Sequence, residues 1–315
     1  MALWRWVAPY DMPACDCLSL GRAPSQGIVY AINESIVAKL PVQYSMPDLM
    51  DEDVQDRLES TFQSLDLFEK EARLYDLFTQ KPHPHIARRL YAKSRTILFI
   101  QRLLPLKDSL KRADQATRHR WVIELCSAVA HLETLGYIHG DLAPRNIGID
   151  GDSLKLFDFG TAMYTTDDGF DVMKSEEYSA LATCIHFILS GVDPFGGVGS
   201  MKELRQLQKK IAEGRGEVHP DAQVLENIIQ DCWTGRNRAM TFETLYQKIR
   251  KLLGLEEVGR GLDMAHQGAL EAERDCVDWL RQASTNPQWK SEAEYRLAWS
   301  NLLKDCQTWF TQIGY

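Results

Sequence analysis

The sequence predicts an α+β fold of two lobes. A β-rich small lobe is expected over residues 20–104 and a helical large lobe over 105–254, with an N-terminal extension (1–19) before them and a helical extension (255–315) after. Three observations predict it. Short β-branched runs cluster before residue 104, a 3.6-residue period takes over after it, and 315 residues exceed the ~150 of a typical domain. Hydrophobic residues make up 44% and charged residues 25%, enough apolar content for a sizeable core.

In the β-rich part, GIVYAI (27–32) and SIVAKL (35–40) are two strand-like runs joined through a tight turn at Asn33-Glu34. Residues 47–78 read as a helix with Leu65, Phe68, Leu74, Leu77 and Phe78 on its apolar face. KPHPHI breaks that helix, and ARRLYAK and TILFIQRL read as two further strands.

The large lobe opens with a helix over 120–136, carrying Val122, Leu125, Val129 and Leu132 on one face and stopped by Gly136. YIHGDL, IGID and LKLFDFG follow as short extended pieces around a hairpin. Residues 176–191 are apolar nearly all round, which predicts a buried helix. Amphipathic helices follow, the last beginning at Thr241 as N-cap with Glu243 in its first turn. The extension holds two helical patterns separated by Pro287. Its Trp279, Trp289, Trp299 and Trp309 are expected to staple it onto the large lobe, each burying a large area.

Composition excludes several classes. A net charge of -8 and a pI of about 5.6 disfavour a nucleic-acid or anionic-membrane partner, and Arg118-His119-Arg120 is the one dense basic stretch. The seven cysteines are odd in number, and Cys126, Cys184, Cys232 and Cys306 fall in apolar helical patterns. Reduced thiols and a cytoplasmic setting are expected. Cys15 and Cys17 have no second Cys/His pair nearby, so no metal site is expected there. No stretch approaches the ~20 apolar residues of a membrane span. The first residues lack the pattern of a secretory signal.

Six motifs stand in a fixed order: VAK at 37–39, FEKEARLY at 68–75, HPHI at 83–86, IHGDLAPRN at 138–146, LFDFG at 156–160, and CW at 232–233 followed by RAMTF at 238–242. Together they resemble a protein-kinase-like domain covering residues 20–254, about three quarters of the chain. The resemblance implies an ATP- and Mg²⁺-dependent phosphotransferase of bilobal fold, because phosphoryl transfer relies on positioning and charge neutralisation. By this likeness Lys39 holds the nucleotide phosphates and Glu71 holds Lys39. Glu71 is preferred to Glu69 because Phe68, Leu74 and Tyr75 place it at the inward edge of the helix. Asp141 accepts the proton of the acceptor hydroxyl, and Asn146 and Asp158 hold Mg²⁺. Arg145 takes the place of the lysine near the transferred phosphate. Val29 and Val37 cover the adenine, Ile100 guards the back of its pocket, Ile147 or Ile149 forms the floor, and the backbones of Arg102 and Leu103 bond its edge. His139 supports the catalytic loop, and Glu176 anchors that loop from the buried helix.

The sequence also departs from the family. In the phosphate loop, normally G-x-G-x-x-G-x-V, Gly27 and Val29 remain, but Arg22 and Pro24 replace two glycines. Proline lacks an N–H, and a side chain hinders close backbone approach to phosphate. Gly140 stands where common kinases carry an arginine that meets a phosphorylated activation segment. Only about fifteen residues separate Gly160 from the expected buried helix, with no A-P-E motif. HGD and a short segment also occur in small-molecule kinases, whereas DLAPRN looks like the loop of tyrosine kinases. The first expectation is transfer to a protein hydroxyl (Ser/Thr or Tyr). The alternatives are a small-molecule kinase and a pseudokinase scaffold that acts by binding.

Overall fold

The computed structural model describes residues 6–11, 27–44, 54–94, 96–236, 239–254 and 266–300. Its principal elements, in chain order, are strands β1 (Ile28–Ala31) and β2 (Ile36–Leu40), helix α1 (Val54–Gln80), and strands β3 (Arg89–Tyr91) and β4 (Leu98–Gln101). Helix α2 (Gln115–Thr134) precedes strands β5 (Tyr137–Ile138), β6 (Ile147–Asp150), β7 (Ser153–Leu156) and β8 (Met163–Tyr164). Helices α3 (Phe170–Ser190), α4 (Met201–Lys210), α5 (Glu226–Trp233), α6 (Phe242–Leu253) and α7 (His266–Gln282) complete them. Two compact units result, one from residues 1–76, 89–102 and 265–315, the other from 77–88 and 103–264.

The first unit is built on a four-stranded antiparallel sheet of order β1-β2-β4-β3. The β1–β2 turn forms because Asn33 Oδ1 accepts from the Ser35 amide (2.8 Å) while the Ile32 amide reaches Ile36 O (2.9 Å). Strand alternation sends Ile36, Ala38 and Leu40 to one face and Val37 and Lys39 to the other. The first face forms a core cluster with Ala8, Ile97, Phe99, Cys276 and Trp279. Trp279 meets Phe99 edge-on (5.7 Å between ring centroids) and Tyr10 likewise (6.1 Å).

This corrects the expectation for the extension. Its described part packs on the β-rich unit, and Trp279 covers the sheet instead of joining the helical lobe. The apolar stripe on α7 is legible from periodicity, but the surface that it covers is a tertiary choice. Trp299 is also buried, and Trp309 lies outside the described residues.

In the second unit α2 supplies the centre, burying Trp121, Val122, Leu125, Cys126, Val129 and Leu132. It starts earlier than expected because Asp114 caps it, accepting from the Thr117 amide (2.8 Å). Helices α3 and α6 pack against it, and α5 packs against α3. The basic triplet has structural work: Arg118 donates to Leu189 O and Leu110 O, and Arg120 to Asp152 O. Helix α3 begins at Phe170, well before residue 176. None of residues 170–176 is buried, so the buried face of the helix begins only at Glu177. Among the described residues no helix is long and apolar enough to cross a membrane.

A histidine cluster in this unit makes stability pH-dependent. His83 stacks on His131 (4.7 Å), approaches His85 (5.5 Å) and bonds Ser127 Oγ (3.1 Å). Burial, then its neighbours His131, His85 and Lys155, lower its pKa from 6.5 to about 3. The unfolded chain therefore binds a proton that the folded chain refuses between those values. Stability is full above pH 6.5 and falls as pH drops toward 3, by up to about 1.4 kcal/mol per pH unit for one proton. Denaturant unfolding between pH 7 and pH 4 (on the order of the window in which one imidazole titrates) should give a visibly flatter profile for His83→Gln.

Candidate active site

The expected site residues fall into two groups, one in each unit. In the β-rich unit, Lys39 Nζ meets Glu71 Oε2 at 2.5 Å, with the side chains 8% and 1% exposed. Helix phase explains the choice of Glu71. Thr61, Ser64, Phe68 and Glu71 recur at 3-4-3 spacing, and all four are buried. Glu69 instead pairs with Arg73 on the exposed side of the helix. A buried ion pair of this kind is costly to break by removing one partner, since the other charge is left uncompensated.

Register places more of the expected residues beside Lys39. Val29 is the cross-strand partner of Lys39 and Ile100 that of Val37. Val29, Val37, Lys39 and Ile100 thus share one face of the sheet. Gly27 holds φ +138°, and a Cβ there would lie 2.6 Å from Leu40 O, so only glycine lets the chain enter β1 this closely. The Arg102 amide is engaged with Ser35 O (2.9 Å), and its guanidinium with Asn33 O (2.7 Å). Arg102 therefore anchors the β1–β2 turn. Arg22 and Pro24 lie outside the described residues.

In the helical unit the loop from β5 to β6 is tied from several sides. His139 is fully buried; its Nδ1 accepts from the Asp141 amide (3.3 Å) and its Nε2 meets Phe157 O (3.0 Å). The tautomer with hydrogen on Nε2 satisfies both bonds. Asn146 Nδ2 donates to Asp141 O (2.8 Å) and Oδ2 (3.1 Å), which turns Asn146 Oδ1 away from Asp141. Arg145 donates to Asp141 Oδ1 (2.5 Å) from an exposed position. The Phe157 amide donates to Asn146 O (3.1 Å). Phe159 is buried against Phe78 (4.9 Å) and His139 (5.2 Å). Between them Asp158 holds φ +67°, the one non-glycine residue with positive φ among those described. Such a conformation costs about 1–3 kcal/mol and persists where the surroundings over-determine it, typically at functional sites.

Gly140 and Glu177 form the central clamp. Glu177 Oε1 accepts from the His139 amide (2.6 Å) and Oε2 from the Gly140 amide (2.9 Å). Burial pushes the Glu177 carboxyl above its ordinary value, opposed by His139 and by those two amides. Gly140 holds φ +75°, and a Cβ there would come within 2.2 Å of Thr161 O. Thr161 Oγ1 donates in turn to His139 O (3.3 Å). The anchor is Glu177, which corrects the expectation of Glu176; Glu176 is exposed. The buried positions 177, 178, 181, 182 and 185 carry the inward phase, and reading that phase from the apolar run would have found Glu177.

Beyond Gly160 the chain reaches α3 within residues 161–169, fewer than expected, because β8 pairs immediately with β5. Among the described residues no group of His, Cys, Asp and Glu could by itself hold a metal ion. Asp158 and Asn146 Oδ1 are hard oxygen donors of the kind that completes a Mg²⁺ shell with phosphate oxygens.

A family model described as "Protein tyrosine and serine/threonine kinase" matches residues 59–182. That range holds Glu71, the loop over 138–146, Asp158 and the Glu177 clamp. Over residues 59–182 the chain is protein-kinase-like.

Kinase relatives agree. The tyrosine-protein kinase SRK2 of Spongilla lacustris is 25% identical over 209 residues, covering 58% of this chain and 55% of the relative. The tyrosine-protein kinase hopscotch of Drosophila melanogaster is 34% identical over 88 residues, 24% of this chain and 8% of the relative. Cyclin-dependent kinase F-4 of Oryza sativa subsp. japonica is 36% identical over 61 residues, 19% and 13%. The chain spans less than two thirds of the length of each of these relatives. The fold is the kinase-like α+β one, with a β-rich unit and a helical unit, and residues 266–300 of the C-terminal extension belong to the former.

Proposed function

We propose that this kinase-like chain is an active ATP- and Mg²⁺-dependent phosphotransferase whose acceptor is a protein hydroxyl. The carrying observation is the Asp141 carboxylate, held by Asn146 and Arg145. Lys39, kept in place by Glu71, binds the nucleotide phosphates. Val29, Val37 and Ile100 offer an apolar surface to adenine, Ile147 or Ile149 its floor, and the Leu103 amide, with Arg102 engaged elsewhere, bonds the ring edge. Asp158 and Asn146 hold Mg²⁺, which would neutralise phosphate charge. Asp141 orients the acceptor hydroxyl and takes its proton. Arg145, exposed and already beside Asp141, offers its guanidinium to the transferred phosphoryl group.

The family match and the protein kinases among the relatives support a polypeptide acceptor. The short stretch 161–169 favours a second reading, a small-molecule acceptor, since it leaves little chain for a peptide platform. The buried thiols Cys126, Cys184, Cys232 and Cys276 support a reducing, cytoplasmic setting.

Purified protein with Mg²⁺ and γ-labelled ATP, incubated with host extract split into polypeptide and small-molecule fractions, tests this. Label should enter polypeptide, and Asp141→Asn should lower the rate by about a hundredfold with no fall in Tm. Label confined to small molecules would establish the second reading. No transfer by wild type would leave a binding scaffold.

A further inference from the structure

Lys39 and Glu71 are not alone in joining strand to helix. After Lys39 the chain runs on through Leu40 to Tyr44, and two more rungs follow. The Val42 amide donates to Ser64 Oγ (3.1 Å) and the Tyr44 amide to Thr61 Oγ1 (3.1 Å). Thr61, Ser64 and Glu71 are the same buried face of α1. Three rungs thereby fix both the rotation and the axial position of the helix that presents Glu71.

The extension grips this ladder at its far end. Gln43, itself buried, exchanges two bonds with Lys290: Nε2 donates to Lys290 O (2.6 Å) and Oε1 accepts from the Lys290 amide (3.1 Å). The buried Tyr295 hydroxyl donates to Tyr44 O (3.1 Å) and lies 3.3 Å from Thr61 Oγ1. A closed ring results: Tyr44 amide to Thr61, Thr61 hydroxyl to Tyr295, Tyr295 hydroxyl to Tyr44 carbonyl. Phe62 packs edge-on to Tyr295 (5.8 Å), and the Arg296 guanidinium lies over Phe62 (3.8 Å).

We infer that residues 290–296 are an in-built brace, and that Tyr295 is a positioning residue which holds α1 where Glu71 pairs with Lys39. The extension thus acts on the phosphate-binding lysine through the helix. The consequence for catalysis rests on the phosphotransferase reading above; the brace itself does not.

The test uses the full chain and the chemical reactivity of Lys39. Wild type, Tyr295→Phe and Gln43→Ala are pulse-labelled with acetic anhydride, and Lys39 acetylation is read by mass spectrometry against the exposed Lys93. Tyr295→Phe breaks the ring and Gln43→Ala removes both bonds to Lys290, and each strands buried partners, so Lys39 labelling should rise about tenfold in both variants. Amide exchange over 59–71 should rise with it, while β4 stays protected. Unchanged Lys39 labelling would overturn the inference. So would an equal rise in exchange over β4, which would reduce Tyr295 to general packing. Neither readout needs phosphotransfer, so an inactive protein that still shows the Lys39 response keeps the brace and loses only the kinase reading.

Discussion

Gly140→Arg, which installs the residue that common kinases carry, should lower phosphotransfer about a thousandfold and depress Tm. A non-glycine residue in the left-handed region costs about 1–2 kcal/mol. The Cβ also meets the Thr161 carbonyl at 2.2 Å, so backbone must move. Thr161 holds the His139 carbonyl, and His139 holds the Asp141 amide, so the displacement passes to the proposed base. Strain of about 4 kcal/mol borne by the loop corresponds to three decades in rate. Gly140→Ala should give much of the same loss, since the clash begins at Cβ. Rates and melting curves for both variants check this. Activity preserved in Gly140→Ala would mean that the loop relaxes around a side chain.

Glu177→Ala should destabilise the helical unit by roughly 2–6 kcal/mol, since the buried His139 amide and the half-buried Gly140 amide lose their acceptor at about 1–3 kcal/mol each. Glu177→Gln retains one oxygen and should lose about half as much. The pH dependence separates charge from hydrogen bonding. Burial raises the Glu177 carboxyl above 4.5, so the folded state holds a proton that the unfolded state has released. Stability from this group therefore declines as pH rises from 4.5 through the folded value, and Glu177→Gln removes that decline. Urea titrations of wild type and both variants across that range supply the measurement.

The placement of several candidate residues was legible because it follows simple periods. Lys39 stands on the strand face opposite Ile36, Ala38 and Leu40, and Glu71 falls in phase with Phe68. Asp141, Asn146 and Asp158 sit in short segments whose spacing is itself the signal. What escaped depends on tertiary partners. Glu177 lies one residue from the expected anchor, and a one-residue step on a helix turns a side chain by about 100°. The early start of α3 was hidden because its buried face begins only at Glu177. The Arg102 amide was expected at adenine, yet Ser35 of the neighbouring turn takes it. The docking of Trp279 on the sheet depends on a surface more than a hundred residues away in sequence (on the order of a domain length). No local pattern encodes such a choice.

That docking has a consequence for how the protein is made. Asn33 bonds Asp275 across 242 positions, and Gln43 bonds Lys290 across 247. Residues 284–285 add a strand to 10–11. A ribosome extends the chain by ~5–20 residues per second, so the early strands wait on the order of ten seconds for their cover. During that interval Ile36, Ala38 and Phe99 present an uncovered apolar sheet face, while the helical unit is already complete in sequence. The nascent β-rich unit is thus the stretch that chaperones should hold longest, and the order of synthesis delays completion of the unit that carries Lys39 until the helical unit has been made.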